Sequence, residues 1–196
     1  MNDTSLSAFQ NGILNALPQM TCFLYGIVFS YISDILLKKN YVTIKGLRYL
    51  GVGIGLGVPA ITVAALGYTT ESWILCISVL SIGIGFGSAS YMGHLAAVYD
   101  IAPTYSGTVY GFVNMVGNTT GFITPLATAA FIEKDPSDIV GWRNLFWLSA
   151  GLYIAALIMF PILVRIQPAS FEYETKSSQK EVTNYGSNDE IERKYA

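Results

Sequence analysis

The chain has 196 residues, of which 52% are hydrophobic and only 12% are charged, and its formal net charge is -2. The mean hydropathy is +0.46. A chain this apolar is not expected to bind nucleic acid, and its small net charge indicates nothing further about partners. Cys22 and Cys76 stand far from any metal-ligand spacing, so the sequence predicts neither a metal site nor a disulfide framework.

The placement of charged residues predicts helices that cross a lipid bilayer. An apolar helix needs about 20 residues to cross about 30 Å of hydrocarbon. A soluble helix would also place charges on its outer face, and the five charge-free runs of this sequence have no such face. We therefore expect an all-α, multi-pass membrane protein with five transmembrane helices. The charge-free runs are Thr4 to Ser33, Tyr49 to Thr70, Ser72 to Tyr99, Ile101 to Ile132 and Asn144 to Val164.

Three regions follow from this pattern. Residues 1–10 form a short polar segment without the features of a secretory signal peptide. The transmembrane domain covers residues 11–166, and residues 167–196 mix charges with polar side chains, which is typical of a disordered tail. The predicted spans are approximately 13–33, 49–69, 73–95, 106–131 and 144–164.

Basic residues predict the orientation of the chain in the membrane. Lys38 and Lys39 follow the first span, and further basic residues occur in the tail, so both segments should be cytoplasmic. The N-terminal segment is then extracellular or lumenal, where Asn2, in an Asn-Asp-Thr triplet, is a candidate glycosylation site. Lys134 and Arg143 in the fourth link argue weakly against this orientation.

The first and third spans each contain a candidate residue for a polar path. Tyr25 belongs to a helical stripe on the first span and is a candidate cavity residue, with core packing as the alternative. His94, the only histidine, lies near the cytoplasmic end of the third span. An ionisable group at this depth is a candidate for a proton or anion contact, and hydrogen-bonded packing is the alternative.

The fourth span carries the clearest polar stripe. Unpaired amides cost a few kcal/mol in lipid, so the stripe should face protein or a water-filled cavity. One interpretation is close helix packing through small residues, including Gly117, with interhelical hydrogen bonds from the asparagines. The other is that Asn114 and Asn118 line a solute path and that Gly121 and Pro125 let the helix bend. This stripe occupies a sector about 80° wide around the helix axis, at about 100° per residue. Its residues are Gly107, Gly111, Asn114, Asn118, Gly121 and Pro125.

Two acidic residues stand at predicted cytoplasmic helix ends. Asp34 ends the first charge-free run, and Asp100 separates the third from the fourth. We interpret both as candidates for gating contacts, and Asp100 could also interact with the positive N-terminal end of the fourth span. The sequence has no Ser/His/Asp set and no paired catalytic carboxylates, so we do not expect an enzyme.

Several segments resemble one transporter family. The run from Asp100 through Gly107, followed by the glycines, asparagine and proline of the fourth span, resembles the signature of the solute carrier 17 group of the major facilitator superfamily. This group includes the sodium/phosphate cotransporters, sialin and the vesicular glutamate transporters. Residues 11–18 and 141–146 look like the starts of its helices 8 and 12. Ser33 and Asp34, with the basic residues that follow them, are similar to its loop between helices 8 and 9.

This resemblance implies a partial major facilitator fold that corresponds to helices 8 to 12. It implies symport of a small anion, inorganic phosphate or an organic anion, by alternating access in a plasma or a vesicular or lysosomal membrane. No bound cofactor is expected, although Na⁺ or H⁺ could be the coupling ion of the full-length protein. The partners would be the lipid bilayer, the anionic solute and the N-terminal half that helices 8 to 12 lack. The alternative is a five-span protein that does not transport and acts through association with a partner or a full-length relative.

Overall fold

The computed structural model describes residues 8–69, 72–132 and 138–167, with side chains from residue 12 onward. Within these residues the chain is helical and contains no strand. The predicted all-α membrane fold is therefore confirmed. The helices are α1 (Ala8–Lys38), α2 (Ile44–Leu66), α3 (Trp73–Gly87), α4 (His94–Ile101), α5 (Ser106–Asn118), α6 (Thr120–Ile132) and α7 (Ile139–Leu163), with a 3₁₀ turn at Ser88–Tyr91.

Two of the five predicted spans are interrupted. The third span runs through α3, the 3₁₀ turn and α4, and the fourth is divided between α5 and α6. Each of α5 and α6 has 13 residues, which is too short to cross a bilayer alone. The helical segments long and apolar enough to cross a membrane are Gly12–Lys38, Ile44–Leu66, Trp73–Ile101 and Ile139–Leu163.

Helix α2 is the centre of the bundle, with α3 on one side and α7 on the other, while α1 packs against α3. Glycines on one face of α2 permit close contact with the interrupted third span. A Cβ added at Gly51 would lie 2.7 Å from the Gly93 backbone nitrogen, and one added at Gly55 would overlap Ser90. Only a residue without a side chain fits at these two crossing points.

Pro59 supplies a second link at the same crossing. Proline has no N–H, so it leaves the carbonyl four residues earlier without its helical donor. That carbonyl belongs to Gly55, and it accepts a hydrogen bond from the Ser90 hydroxyl at 3.3 Å. The proline, the glycine and the serine together fix the 3₁₀ turn against α2.

The buried core is small, as expected for helices surrounded by lipid. Its centre consists of Leu47, Ala89 and Met92, with Phe29 among the partly buried residues around it. Large apolar side chains elsewhere point outward, including Phe122, which is 79% exposed. Because the bilayer interior is as apolar as these side chains, their exposure costs little there.

Several predicted features lie outside the described residues. These are the Asn2 glycosylation site, Lys134 in the fourth link, and almost all of the N-terminal segment and of the tail. They stay predictions from the sequence.

Candidate functional site

A cavity of about 540 Å³ opens beside α1. Its polar wall consists of α1 residues three or four positions apart, which therefore share one face of the helix. Aromatic and aliphatic side chains complete the wall. The lining residues are Gln19, Cys22, Phe23, Gly26, Ile27, Ser30 and Tyr91.

Tyr91 reaches this cavity because the third span is interrupted. It ends the 3₁₀ turn, and Gly93 just beyond it has φ -91° and ψ -107°, outside helical geometry. Its side chain shares the cavity wall with Cys22 of α1, and its ring carbons lie 3.9 Å and 4.0 Å from the position of a Cβ on Gly26. The turn thus places the third span beside α1 at this cavity.

Tyr25 faces away from this cavity and packs between helices. Its ring lies 3.3 Å from the position of a Cβ on Gly85, and its centroid is 5.3 Å from that of Phe86. The Phe29 ring completes the cluster, with its centroid 5.8 Å from that of Phe86. These are helix-packing contacts, and the role of Tyr25 in a solute path stays a prediction.

The stripe on the fourth span is open. Residues 111–126, which include Asn114 and Asn118, are all exposed. Apart from its own helix backbone, a Cβ added at the stripe glycines Gly107, Gly111 and Gly121, or at the nearby Gly117, would meet nothing within 4 Å. The described helices of this chain therefore leave the stripe uncovered, and both of its interpretations require a neighbour supplied from elsewhere.

The break between α5 and α6 falls inside this stripe. Thr119 separates the helices, and its backbone N–H donates to the Val116 carbonyl at 3.1 Å in a tightened turn. The Thr120 hydroxyl donates to the Gly117 carbonyl at 2.7 Å. Pro125 removes a further backbone donor one turn later. The segment thus has weakened helical bonding next to Asn118. The bend at Gly121 and Pro125, one of the two interpretations of the stripe, stays a prediction.

His94 begins α4 directly after the interrupted turn, and its side chain is exposed. It does not line the cavity beside α1. The structure therefore gives His94 access from outside the bundle and leaves its proposed proton or anion contact as a prediction.

Asp100 forms an ion pair that joins two helices at one end of the bundle. Arg48 Nε donates to Asp100 Oδ2 at 2.7 Å, and Arg48 Nη2 lies 3.4 Å from Oδ1. Arg48 Nη1 also donates to the Met92 carbonyl at 3.0 Å. The Arg48 and Asp100 side chains are only 12% and 25% exposed. Asp34, the other predicted gating residue, is exposed near the end of α1.

The described basic side chains all lie away from the cavity. Arg48 is paired, and Arg143 stacks over Tyr68 with its guanidinium carbon 4.8 Å from the ring centroid. No Lys or Arg among the described residues lines the cavity wall. The cavity can offer hydroxyl, amide and thiol groups to a solute, but it cannot neutralise an anion with described groups alone.

Sequence analysis did not identify Arg48 or Tyr91 as site residues. Arg48 was visible only as one of several basic residues between the first two spans. Its partner lies 52 positions away, so no local spacing reveals the pair. Tyr91 could have been suspected from Gly87 and Gly93, which flank a short polar stretch within an apolar span.

Comparison with known proteins supports the resemblance seen in the sequence. The profile of the Major Facilitator Superfamily matches residues 1–184. The chain is 26% identical over 170 residues to rat sodium-dependent phosphate transport protein 1, covering 87% of this chain and 36% of that protein. It is 29% identical over 164 residues to mouse sodium-dependent phosphate transport protein 3, covering 84% of this chain and 34% of that protein. It is 30% identical over 155 residues to the human probable small intestine urate exporter, covering 79% of this chain and 31% of that protein.

The chain thus spans about a third of the length of these relatives. The proteins named in these matches are transporters, and none of the three names describes an enzyme.

Proposed function

Because the chain belongs to the Major Facilitator Superfamily, we propose that it forms part of a transporter for small anions, with inorganic phosphate as the first substrate to test. This multi-pass membrane chain would correspond to helices 8 to 12 of the relatives. The names of those relatives, which refer to phosphate transport and urate export, support an anionic substrate.

The observation that carries this proposal is the cavity beside α1, whose mostly apolar wall carries a few polar groups. It is about 540 Å³ in volume and offers Gln19, Ser30 and Tyr91 to a solute. The interrupted third span reaches it through Tyr91, and interrupted helices are common where transporters bind substrate. We propose that α1, the 3₁₀ turn and α5 form one wall of the path, with Asn114 and Asn118 further along it.

The missing positive charge must come from the rest of the transporter. A buried anion needs a paired cation or strong donors, and no described Lys or Arg reaches the cavity. The open stripe on α5 would then face the region that the other two-thirds of the relatives supplies. Alternating access would follow from rocking of these two parts, with the break at Thr119 absorbing part of the bend.

We also propose that Asp34 and Asp100 act in gating. Asp100 holds Arg48, so it ties α4 to the start of α2 at one end of the bundle. A contact of this kind can be made in one conformation and released in another without touching solute. Asp34 stands near the same end, at the close of α1.

Uptake by a chimera tests the transport proposal. The chain would replace the aligned third of mouse sodium-dependent phosphate transport protein 3, and uptake of radiolabelled phosphate would be measured in vesicles with and without a Na⁺ or H⁺ gradient. We expect uptake by the chimera and none by the chain alone. A folded chimera that moves neither phosphate nor urate would contradict the proposal.

The open stripe also supports a second candidate function, in which the chain associates with a full-length relative without transporting. In that case the chain would co-purify with the relative and change its uptake, while the chimera would be inactive. Replacing Gly111 with Leu, at a position that is open in the chain itself, should then abolish co-purification.

A further inference from the structure

The turn between α1 and α2 has a fixed backbone geometry. Asn40 adopts φ 55° in the left-handed region. The Tyr41 N–H donates to the Leu36 carbonyl and the Asn40 N–H to the Leu37 carbonyl, both at 3.0 Å, which is the Schellman pattern that ends a helix. Thr43 then caps α2, because its hydroxyl accepts from the Gly46 N–H at 3.1 Å. The side chains on this turn are therefore presented from a rigid support.

This turn concentrates positive charge that no acidic residue in the described part of the chain neutralises. Lys38, Lys39 and Lys45 are all exposed. The ion pair found among the described residues, Arg48 with Asp100, involves none of these lysines. The acidic group nearest in sequence, exposed Asp34, lies one helical turn before Lys38 without reaching it. Lys39 Nζ lies 5.9 Å from the centroid of the Tyr41 ring, which keeps this ammonium beside the turn.

The same turn has an apolar side. A cavity of about 510 Å³ is lined by Leu37, Asn40, Tyr41, Val42, Thr43 and Ile44. Tyr41 is 70% exposed and Ile44 is 52% exposed. Tyrosine side chains of this kind favour the membrane–water interface, where an apolar body and a polar tip are both satisfied. The turn joins two membrane-length helices, so it lies at that interface.

We propose that this turn binds the headgroup of an anionic phospholipid. The lysines provide the charge that a lipid phosphate requires, and the adjoining apolar cavity provides a surface for the glycerol and the first acyl carbons. A lipid without net charge lacks this attraction to the lysines, so it should bind the site much more weakly. The proposal does not depend on the proposed transport function, because it rests on residues outside the cavity beside α1.

Photo-crosslinking of the full chain in bilayer nanodiscs tests the proposal. The probes are phosphatidylglycerol and phosphatidylcholine that carry the same photoreactive group near the headgroup and differ only in that headgroup. We expect the peptide containing residues 37–45 to be labelled more strongly by phosphatidylglycerol. Each Lys→Gln change at 38, 39 or 45 should reduce this preference by up to about fivefold, the scale of one basic residue at an anionic membrane surface.

Three controls separate the site from general charge and from misfolding. The triple arginine variant K38R/K39R/K45R should keep the preference, whereas K38Q/K39Q/K45Q should lose it at unchanged helix content. The exposed Arg165 lies near the same end of the bundle, next to Val164, whose carbonyl accepts from Tyr49. Its change to Gln should leave labelling of the turn unaltered. Equal labelling by the two lipids in the unmodified chain would overturn the proposal, as would an equal loss in the arginine and glutamine variants.

Discussion

The ion pair between Arg48 and Asp100 should hold α2 and α4 together, and a double-mutant cycle can measure its contribution. The perturbations are Arg48→Met, Asp100→Asn and the double variant. Arg48 makes two contacts with the carboxylate and one with the Met92 carbonyl. Asp100→Asn removes the charge but leaves the Met92 contact intact, so the two single variants should differ.

The expected magnitudes follow from the burial of the pair. Losing one partner of a fully buried pair costs about 3–5 kcal/mol, whereas an exposed pair contributes about 0–1 kcal/mol. With side chains 12% and 25% exposed, Arg48→Met should cost an intermediate amount, about 2–3 kcal/mol. Asp100→Asn should cost about 1–2 kcal/mol, because a neutral acceptor remains for the guanidinium. The double variant should cost about 1–2 kcal/mol less than the sum of the two single variants.

The assay is thermal unfolding of the full chain in detergent micelles, followed by circular dichroism. For a chain of this size, about 1 kcal/mol shifts the midpoint by roughly 2–4 °C. Lys45→Gln is the matched control, since Lys45 is exposed on the first turn of the same helix and should change stability by less than about 0.5 kcal/mol. Additive effects in the cycle, or an equal loss in the Lys45 control, would refute this account of the pair.

Three further predictions concern helix packing, the polar stripe and orientation. Gly55→Ala should destabilise the chain by about 1–3 kcal/mol through overpacking, whereas Gly53→Ala, which meets nothing within 4 Å, should be neutral or slightly stabilising in the same unfolding assay. In the chimera, Asn114→Leu and Asn118→Leu should each raise the KM for phosphate at unchanged surface expression. Reduced expression with unchanged KM would instead favour the helix-packing interpretation, in which each lost interhelical hydrogen bond lowers stability by about 0.6–2 kcal/mol. Because the segment after the first span is predicted to be cytoplasmic, a cysteine at position 39 should not react with membrane-impermeant maleimide added outside cells. Labelling from outside would contradict the predicted orientation.

The sequence predicted the membrane class and the all-α fold because the cost of burying charge in lipid constrains every helix in the same way. It did not predict the interruption of the third span, which depends on how Gly51 and Gly55 approach the Ser90–Gly93 segment. Helical phase also placed Tyr25 on a stripe of the first span as a candidate cavity residue. In the structure Tyr25 packs against Phe86 while Cys22 lines the cavity, because the position of a neighbouring helix, and not spacing alone, decides which face becomes a cavity.

The restraints on the helices are unevenly distributed, and this bears on which part can move. Helix α2 is held at its start by Arg48. Near its end, Arg143 Nε lies 3.4 Å from the Gly67 carbonyl, where the negative end of the helix dipole stabilises a cation. Helices α5 and α6 have neither restraint in the described part of the chain, and they are separated at Thr119 within the exposed stripe. A motion that opens a path would therefore meet least resistance in the fourth span, with α2 as the fixed support.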